Sequence, residues 1–238
     1  MSVPSSKAAV RHHKGAKFRA VLFDFDGTLA PSLPLWVEGY RVALGGGFGL
    51  ELSDDEIIKR CFFRDWGDVA ADLGIASVDD LRTQVQLSVH EAFLGAQLFP
   101  LARPLLEHCR AHGLQTALVT SSPRVVLKPV AARLGLYELF DFIVCGDDVS
   151  NYKPHPEPVL MTLAALARAA GEAIMVGDSH ADILAGKAAG VATALFLPHE
   201  HNRFHSFDEL RATQPDHVFA NHTELPALLG LPALAGII

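Results

Sequence analysis

Six short apolar runs recur along the chain, and each is followed by polar or glycine-containing sequence. The runs are rich in β-branched and aromatic residues, which is typical of strands buried in a sheet. The first run, RAVLFD, is closely followed by the breaker Gly27. We predict strands at 19–24, 114–119, 140–145, 173–176, 191–196 and 217–220.

Stretches with helical spacing lie between several of these runs, at 123–134, 156–170 and 179–189. The first of them has a proline near its start and Gly135 just past its end, and Gly190 ends the last. These are typical start and stop signals of helices. The alternation of strand and helix predicts a parallel sheet with helices on both faces, and such sheets bind ligands beyond the carboxyl ends of the strands.

The segment from Ser32 to Phe99 departs from this alternation, because it contains no convincing buried strand. Helical patterns lie at 35–44, 54–63, 68–73 and 78–94, and Ser53 with Glu56 forms a capping box. We therefore predict an α/β fold, a Rossmann-like parallel sheet core with an inserted all-helical cap domain. The cap would span 32–99, the core 18–31 and 100–238, and residues 1–17 would form a disordered tail.

The composition supports a folded chain outside membranes. Of the 238 residues, 50% are hydrophobic, and 27 acidic against 20 basic residues give a net charge of −7. A mild acidic excess argues against a nucleic-acid partner. No apolar run has transmembrane length and the start lacks a signal-peptide core, so we expect no membrane partner and a cytoplasmic protein. Three scattered cysteines, Cys61, Cys109 and Cys145, are expected to be free buried thiols.

Residues capable of catalysis follow four of the predicted strands. Because the carboxyl ends of parallel strands lie at one edge of a sheet, these residues are expected to meet there. The set comprises Asp24, Asp26, Thr120, Ser121, Lys153, Asp178 and Asp182.

The carboxylates in this set suit a hard divalent cation. Mg²⁺ binds oxygen ligands, usually one or two carboxylates together with substrate phosphate and water. We predict that Asp24 and Asp178 bind Mg²⁺ and that Asp26 contributes its carbonyl oxygen. Asp182, one turn into a helix, would hold Lys153, or it would only interact favourably with the helix dipole.

The same set suits attack on a phosphate ester. A carboxylate can attack phosphorus once the charge of the phosphate is neutralised, here by Mg²⁺, Lys153 and the hydroxyl donors Thr120 and Ser121. Asp26 would protonate the leaving oxygen and later deprotonate water. Ser121 and Gly27 are predicted to border the bound substrate, although Ser121 is an equally good helix N-cap.

Four segments resemble the motifs of the haloacid dehalogenase-like (HAD) hydrolases, in order and spacing. They are DFDGT at 24–28, VTSS at 119–122, KPHPEP at 153–158 and GDSHADI at 177–183. The resemblance implies Asp24 as nucleophile, Asp26 as general acid/base, Thr120 and Lys153 as phosphate-binding residues, and Asp178 as metal ligand. It covers about 18–230 and is strongest for the helical-cap branch that includes phosphoglycolate phosphatases and β-phosphoglucomutases.

The presence of Asp26 favours phosphoryl transfer, since family members with other chemistry lack an acid/base there. We predict a Mg²⁺-dependent phosphatase for a small phosphorylated metabolite, acting through a phosphoaspartyl intermediate as a monomer or homodimer. One alternative is a β-phosphoglucomutase-like phosphomutase, which returns the phosphoryl group to a sugar. Another is a non-catalytic protein that binds a phosphometabolite.

Several other features receive structural interpretations. Thr28 is expected to stabilise the turn around the aspartates, and the glycine-rich stretch 45–49 to form a flexible cap loop. His199, His201 and His205 resemble a metal cluster but lack an accompanying set of acid or cysteine ligands, so a solvated loop is expected. The candidates for substrate specificity in the cap are Trp36, Tyr40, Arg41, Lys59, Arg60, Phe63, Arg64 and Trp66.

Overall fold

A computed structural model describes residues 15–234, and its centre is a parallel six-stranded sheet in the order β3-β2-β1-β4-β5-β6. All six predicted strands are present; five are slightly shorter than their apolar runs, and the fourth extends one residue further, to Gly177. They are β1 (Ala20–Phe23), β2 (Gln115–Val119), β3 (Phe142–Val144), β4 (Ala173–Gly177), β5 (Ala192–Phe196) and β6 (His217–Phe219).

The strands place their carboxyl ends together in the middle of the sheet. Phe23, the last residue of β1, is in register with Leu118 of β2 and Val176 of β4. The residues that follow these three strands therefore meet at one edge.

Ten α-helices surround or extend this sheet in the described part of the chain. Four of them lie between β1 and β2: α1 (Leu33–Phe48), α2 (Asp54–Cys61), α3 (Trp66–Leu73) and α4 (Val78–Phe93). The others are α5 (Ala102–Ala111), α6 (Arg124–Arg133), α7 (Glu157–Leu166), α8 (His180–Ala189), α9 (Phe207–Ala212) and α10 (Leu225–Leu229).

The sheet is covered on both faces, as the pattern of strand and helix predicts. Val21 and Phe23 of β1 pack into one hydrophobic cluster with residues of α5 and α6. Ala20 and Leu22 pack into a second cluster with residues of α7 and α8. Alternate residues of a strand point to opposite faces, so both faces of β1 are buried. The predicted fold class, an α/β core with an inserted helical unit, is confirmed.

The glycine-rich stretch 45–49 does not form the predicted loop. Helix α1 continues through it to Phe48 and ends at Gly49, which has a left-handed φ of 65°. The packing of α1 on α4 accounts for this, because Gly39 lies directly against Val89 and Gly47 against Gln84. Tertiary contact therefore outweighs the poor helix propensity of consecutive glycines.

Local signals elsewhere in the insertion agree with the sequence. Ser53 and Glu56 form the reciprocal capping box at the start of α2, and Ser77 caps α4 by accepting from Asp80 N–H. The three cysteines are free and buried. None of the helices described in 15–234 is long and apolar enough to cross a membrane.

The predicted tail 1–17 falls largely outside the described residues. Of its last three residues, Lys17 is joined to the core, because its backbone N–H donates to Leu229 O at 3.0 Å.

Candidate active site

The tight turn after β1 places two aspartates at the edge of the sheet. Asp24 is 6% exposed, and its backbone N–H donates to Val176 O at 2.9 Å, next to the end of β4. The turn closes through Gly27, whose φ is 69° and whose N–H donates to Ala30 O. A β-carbon added at Gly27 would lie 2.0 Å from Asp178 Oδ2. The structure therefore shows Gly27 as the residue that admits Asp178 beside the turn.

A buried ammonium group joins three of the strand ends. Lys153 Nζ donates to Asp24 Oδ1 at 2.8 Å, to Val119 O at 2.8 Å and to Asp182 Oδ1 at 2.6 Å. The other oxygen of Asp182 accepts from the backbone N–H and the hydroxyl of Ser179. Asp182 thus both caps α8 and contacts Lys153, and the contact with Lys153 is the role predicted for it from the sequence.

Negative charge exceeds positive charge in this cluster. Asp24, Asp178 and Asp182 are all buried, with ligand oxygens within 4.8 Å of one another, and Lys153 is the buried cation among them. Burial raises the pKa of Asp24 well above its ordinary value, although the positive charge of Lys153 acts in the opposite direction. The pKa of Asp178 is also raised, mainly by burial and secondly by the negative charge of Asp182. Burial opposes the charge of Lys153, yet Asp182 and Asp24 raise its pKa above the ordinary value.

This donor set fits a divalent cation. Removing carboxylates from water is costly unless a positive charge compensates, and one ammonium cannot compensate three carboxylates. Hard oxygen ligands suit Mg²⁺. Asp24 and Asp178 are therefore well suited to hold it at this edge.

The carboxylate of Asp26 is held by three side-chain donors. Oδ1 accepts from the Ser32 hydroxyl at 2.6 Å and from Trp36 Nε1 at 2.9 Å. Oδ2 accepts from the Ser122 hydroxyl at 2.6 Å. Ser32 precedes α1 and Trp36 lies on it, so the helical insertion helps to orient Asp26. Sequence reasoning missed Ser32 and the contact made by Ser122, although Ser122 belongs to the VTSS motif.

The hydroxyl groups near the site differ in their surroundings. Thr120 is 2% exposed and its Oγ1 accepts from Ser122 N–H at 3.0 Å. Ser121 is exposed and lines the cavity described below. Thr28 is buried, and its Oγ1 has no hydrogen-bond partner within 15–234. The turn is instead closed by backbone bonds, such as that from Leu29 N–H to Phe25 O.

A cavity of about 370 Å³ opens above these residues, between the sheet edge and the helical insertion. Five of the eight cap residues predicted as specificity candidates line it: Trp36, Tyr40, Phe63, Arg64 and Trp66. Arg41, Lys59 and Arg60 do not line it. Besides these, the wall contains Asp24, Asp26, Leu33, Cys61, Phe62, Asp65, Thr120, Ser121, Ser122, Tyr152, Lys153, Pro154, Asp178, Ser179, His180 and Ala181.

The expectation of a solvated histidine loop is wrong for two of its three histidines. His201 and His205 are only 3% and 8% exposed, and both lie against Asp178, whereas His199 is exposed. Burial lowers the pKa of His201 and of His205 to about 4. The sequence does show that His201 and His205 are spaced by one helical turn, which brings their side chains close together. The acidic partner, Asp178, comes from a distant motif and was not visible in the local sequence.

Comparisons with known proteins agree with the fold. A family model described as haloacid dehalogenase-like hydrolase matches residues 21–196. Phosphoglycolate phosphatase from Yersinia pseudotuberculosis is 32% identical over 227 residues, which cover 91% of this chain and 95% of the relative.

Two solved structures show the same fold over most of their length. A HAD family hydrolase from Deinococcus radiodurans, with bound phosphate and sodium, is 26% identical with a TM-score of 0.72, covering 90% of this chain and 96% of that one. A variant of CbbY from Rhodobacter sphaeroides, in complex with xylulose-1,5-bisphosphate, is 20% identical with a TM-score of 0.75, covering 90% and 99%.

Proposed function

This chain belongs to the haloacid dehalogenase-like hydrolase family, and on that premise we propose that it is a Mg²⁺-dependent phosphatase of a small phosphate monoester. The observation that carries the proposal is the environment of Asp24. Its Oδ1 is held by Lys153, while Oδ2 accepts no hydrogen bond within 15–234 and Asp24 lines the cavity. One carboxylate oxygen is fixed and the other is available to attack phosphorus.

The first step forms a bond between Asp24 and phosphorus and breaks the ester P–O bond. Asp26, held over the cavity by Ser32, Trp36 and Ser122, gives its proton to the departing oxygen. Lys153 faces the developing charge on the phosphoryl oxygens. The product of this step is a phosphoryl-Asp24 and a free alcohol.

The second step returns the enzyme to its starting state. Asp26, now a carboxylate, takes a proton from a water molecule, whose oxygen attacks the phosphoryl group. The acyl phosphate bond breaks, phosphate leaves, and Asp24 is again a carboxylate. When bound by Asp24, Asp178 and the Asp26 carbonyl, Mg²⁺ would supply neutralisation of the phosphate charge.

The substrate proposed for the first assay is phosphoglycolate, because the relative from Yersinia pseudotuberculosis is named for it. Phosphoglycolate also has a carboxylate, and because Lys153 faces the phosphoryl group, a second cation is needed to bind that carboxylate. Arg64 is the arginine among the cavity-lining residues and lies on the insertion side. We expect Arg64→Met to raise KM for phosphoglycolate, with a much smaller effect on an ester that has no carboxylate. Equal effects on both esters would exclude Arg64 from carboxylate recognition.

The proposed reaction is tested by measuring phosphate release from a panel of phosphate monoesters, with and without Mg²⁺. Wild-type protein should release phosphate only with the metal, Asp24→Asn should release none, and Asp26→Asn should lose turnover while remaining folded. Normal turnover by the Asp24 variant would refute the mechanism.

The same panel separates the alternatives. A phosphomutase would convert a sugar phosphate into its isomer without releasing phosphate. A non-catalytic protein would bind a phosphate ester and turn over none of the panel.

A further inference from the structure

We propose that His201, His205 and Asp178 form a second metal site, one that binds a borderline divalent cation such as Zn²⁺. His201 Nδ1 lies 3.4 Å and His205 Nε2 lies 3.2 Å from the same oxygen, Asp178 Oδ2. One ligand atom from each of the three residues lies within 4.8 Å of the others. Two imidazole nitrogens and one carboxylate oxygen are a ligand set that zinc commonly uses.

The distances also suit ligands that share one metal centre. N–H···O hydrogen bonds are typically about 2.7–3.2 Å long, so the His205 contact lies at the upper end of that range and the His201 contact lies beyond it. In a tetrahedral zinc site with bonds of about 2.0–2.1 Å, neighbouring ligand atoms are about 3.3 Å apart. Both nitrogen-to-oxygen separations lie close to that edge length. His201 Nδ1 is moreover buried and has no well-aligned hydrogen-bond partner in the described residues, although Asp178 is within ion-pair distance.

The backbone fixes the two imidazoles relative to each other. His201 lies in a 3-10 helix, His199–Arg203, and His205 follows one turn later, with its N–H donating to His201 O at 3.0 Å. This i, i+4 spacing places both rings on one side of the turn.

Aromatic side chains enclose the pair. The ring of Phe63 lies over His205 with centroids 4.4 Å apart, and Phe196 meets His201 edge-on at 5.9 Å. Phe63 is held there with a left-handed φ of 55°, which is uncommon for a bulky residue. An apolar shell of this kind limits solvent access and keeps ligands oriented.

Zinc binding is measured on metal-free full-length protein by isothermal titration calorimetry and by zinc K-edge X-ray absorption. We expect one tight site whose spectrum contains scattering from two imidazoles. His201→Gln and His205→Gln should each weaken zinc binding by more than about tenfold, because even the loss of a residue that only hydrogen-bonds to a metal ligand weakens binding by about that much. His199→Gln is the matched control, because His199 is exposed in the same segment, and it should bind zinc like the wild type.

The outcomes are decisive in both directions. A wild-type spectrum without imidazole scattering would overturn the site, and this measurement does not depend on the variants folding. Zinc affinities within about tenfold of the His199→Gln control in both cluster variants would overturn it as well. The inference relies on the proposed function only in sharing Asp178 with the Mg²⁺ site. No activity is measured, so an inactive phosphatase would leave this result unaffected.

Discussion

Replacement of Gly27 by alanine tests whether the turn after β1 is shaped by its contact with Asp178. The added β-carbon would lie 2.0 Å from Asp178 Oδ2 and 2.6 Å from its Cγ. Real β-carbons essentially never approach such atoms within 3.0 Å. Either the Asp178 carboxylate or the turn that carries Asp24 and Asp26 must therefore move by about 1 Å, and a displacement of that size costs about 100-fold in turnover.

A matched control separates this contact from backbone strain. Gly49 has nearly the same left-handed conformation, with φ 65° against 69° for Gly27, but nothing lies within 4 Å of its added β-carbon. Both alanine variants should lose about 1–2 kcal/mol of unfolding free energy from the conformation alone. Only Gly27→Ala should in addition lose phosphatase turnover and Mg²⁺ activation.

The assay combines urea unfolding with phosphate release over a Mg²⁺ titration. Gly49→Ala should match the wild type in kcat and in the Mg²⁺ concentration for half activation. A Gly27→Ala protein with the same kcat and Mg²⁺ response as Gly49→Ala would show that the close approach to Asp178 is not needed for the site.

Trp36→Phe removes a donor to Asp26 Oδ1 at 2.9 Å and should lower kcat by about tenfold with little change in KM, as steady-state kinetics will show. Lys153→Met leaves buried carboxylates without their cation, so the metal-free protein should lose about 3–5 kcal/mol of unfolding free energy, measured by chemical denaturation. Arg203→Met, which removes an ion pair at the exposed surface, should change the unfolding free energy little. Burial lowers the pKa of His222, so the unfolded chain binds the proton more readily and stability falls as the pH drops below 6.5. His222→Gln should flatten this acid limb, measured by urea unfolding at several pH values, by at most about 1.4 kcal/mol per pH unit.

The sequence alone determined the strands, most of the helices and the order of the four motifs along the chain. Each strand is a contiguous apolar run, and several helix ends are marked by neighbouring residues, such as the capping pair Ser53 and Glu56 at the start of α2. Because parallel strands share one carboxyl edge, the sequence predicts that Asp24, Lys153 and Asp178 lie at one site.

Tertiary structure alone decided the partners of individual side chains. Ser122 reaches Asp26 across 96 residues of sequence, and His205 reaches Asp178 across 27. The glycines at 45–47 are helical because α1 is packed on α4, although their own propensity opposes it. Periodicity and capping are set by neighbours within a few residues, so the sequence displays them directly. Contacts between distant segments depend on how whole elements pack and on which buried polar groups then need partners, and these are properties of the assembled fold.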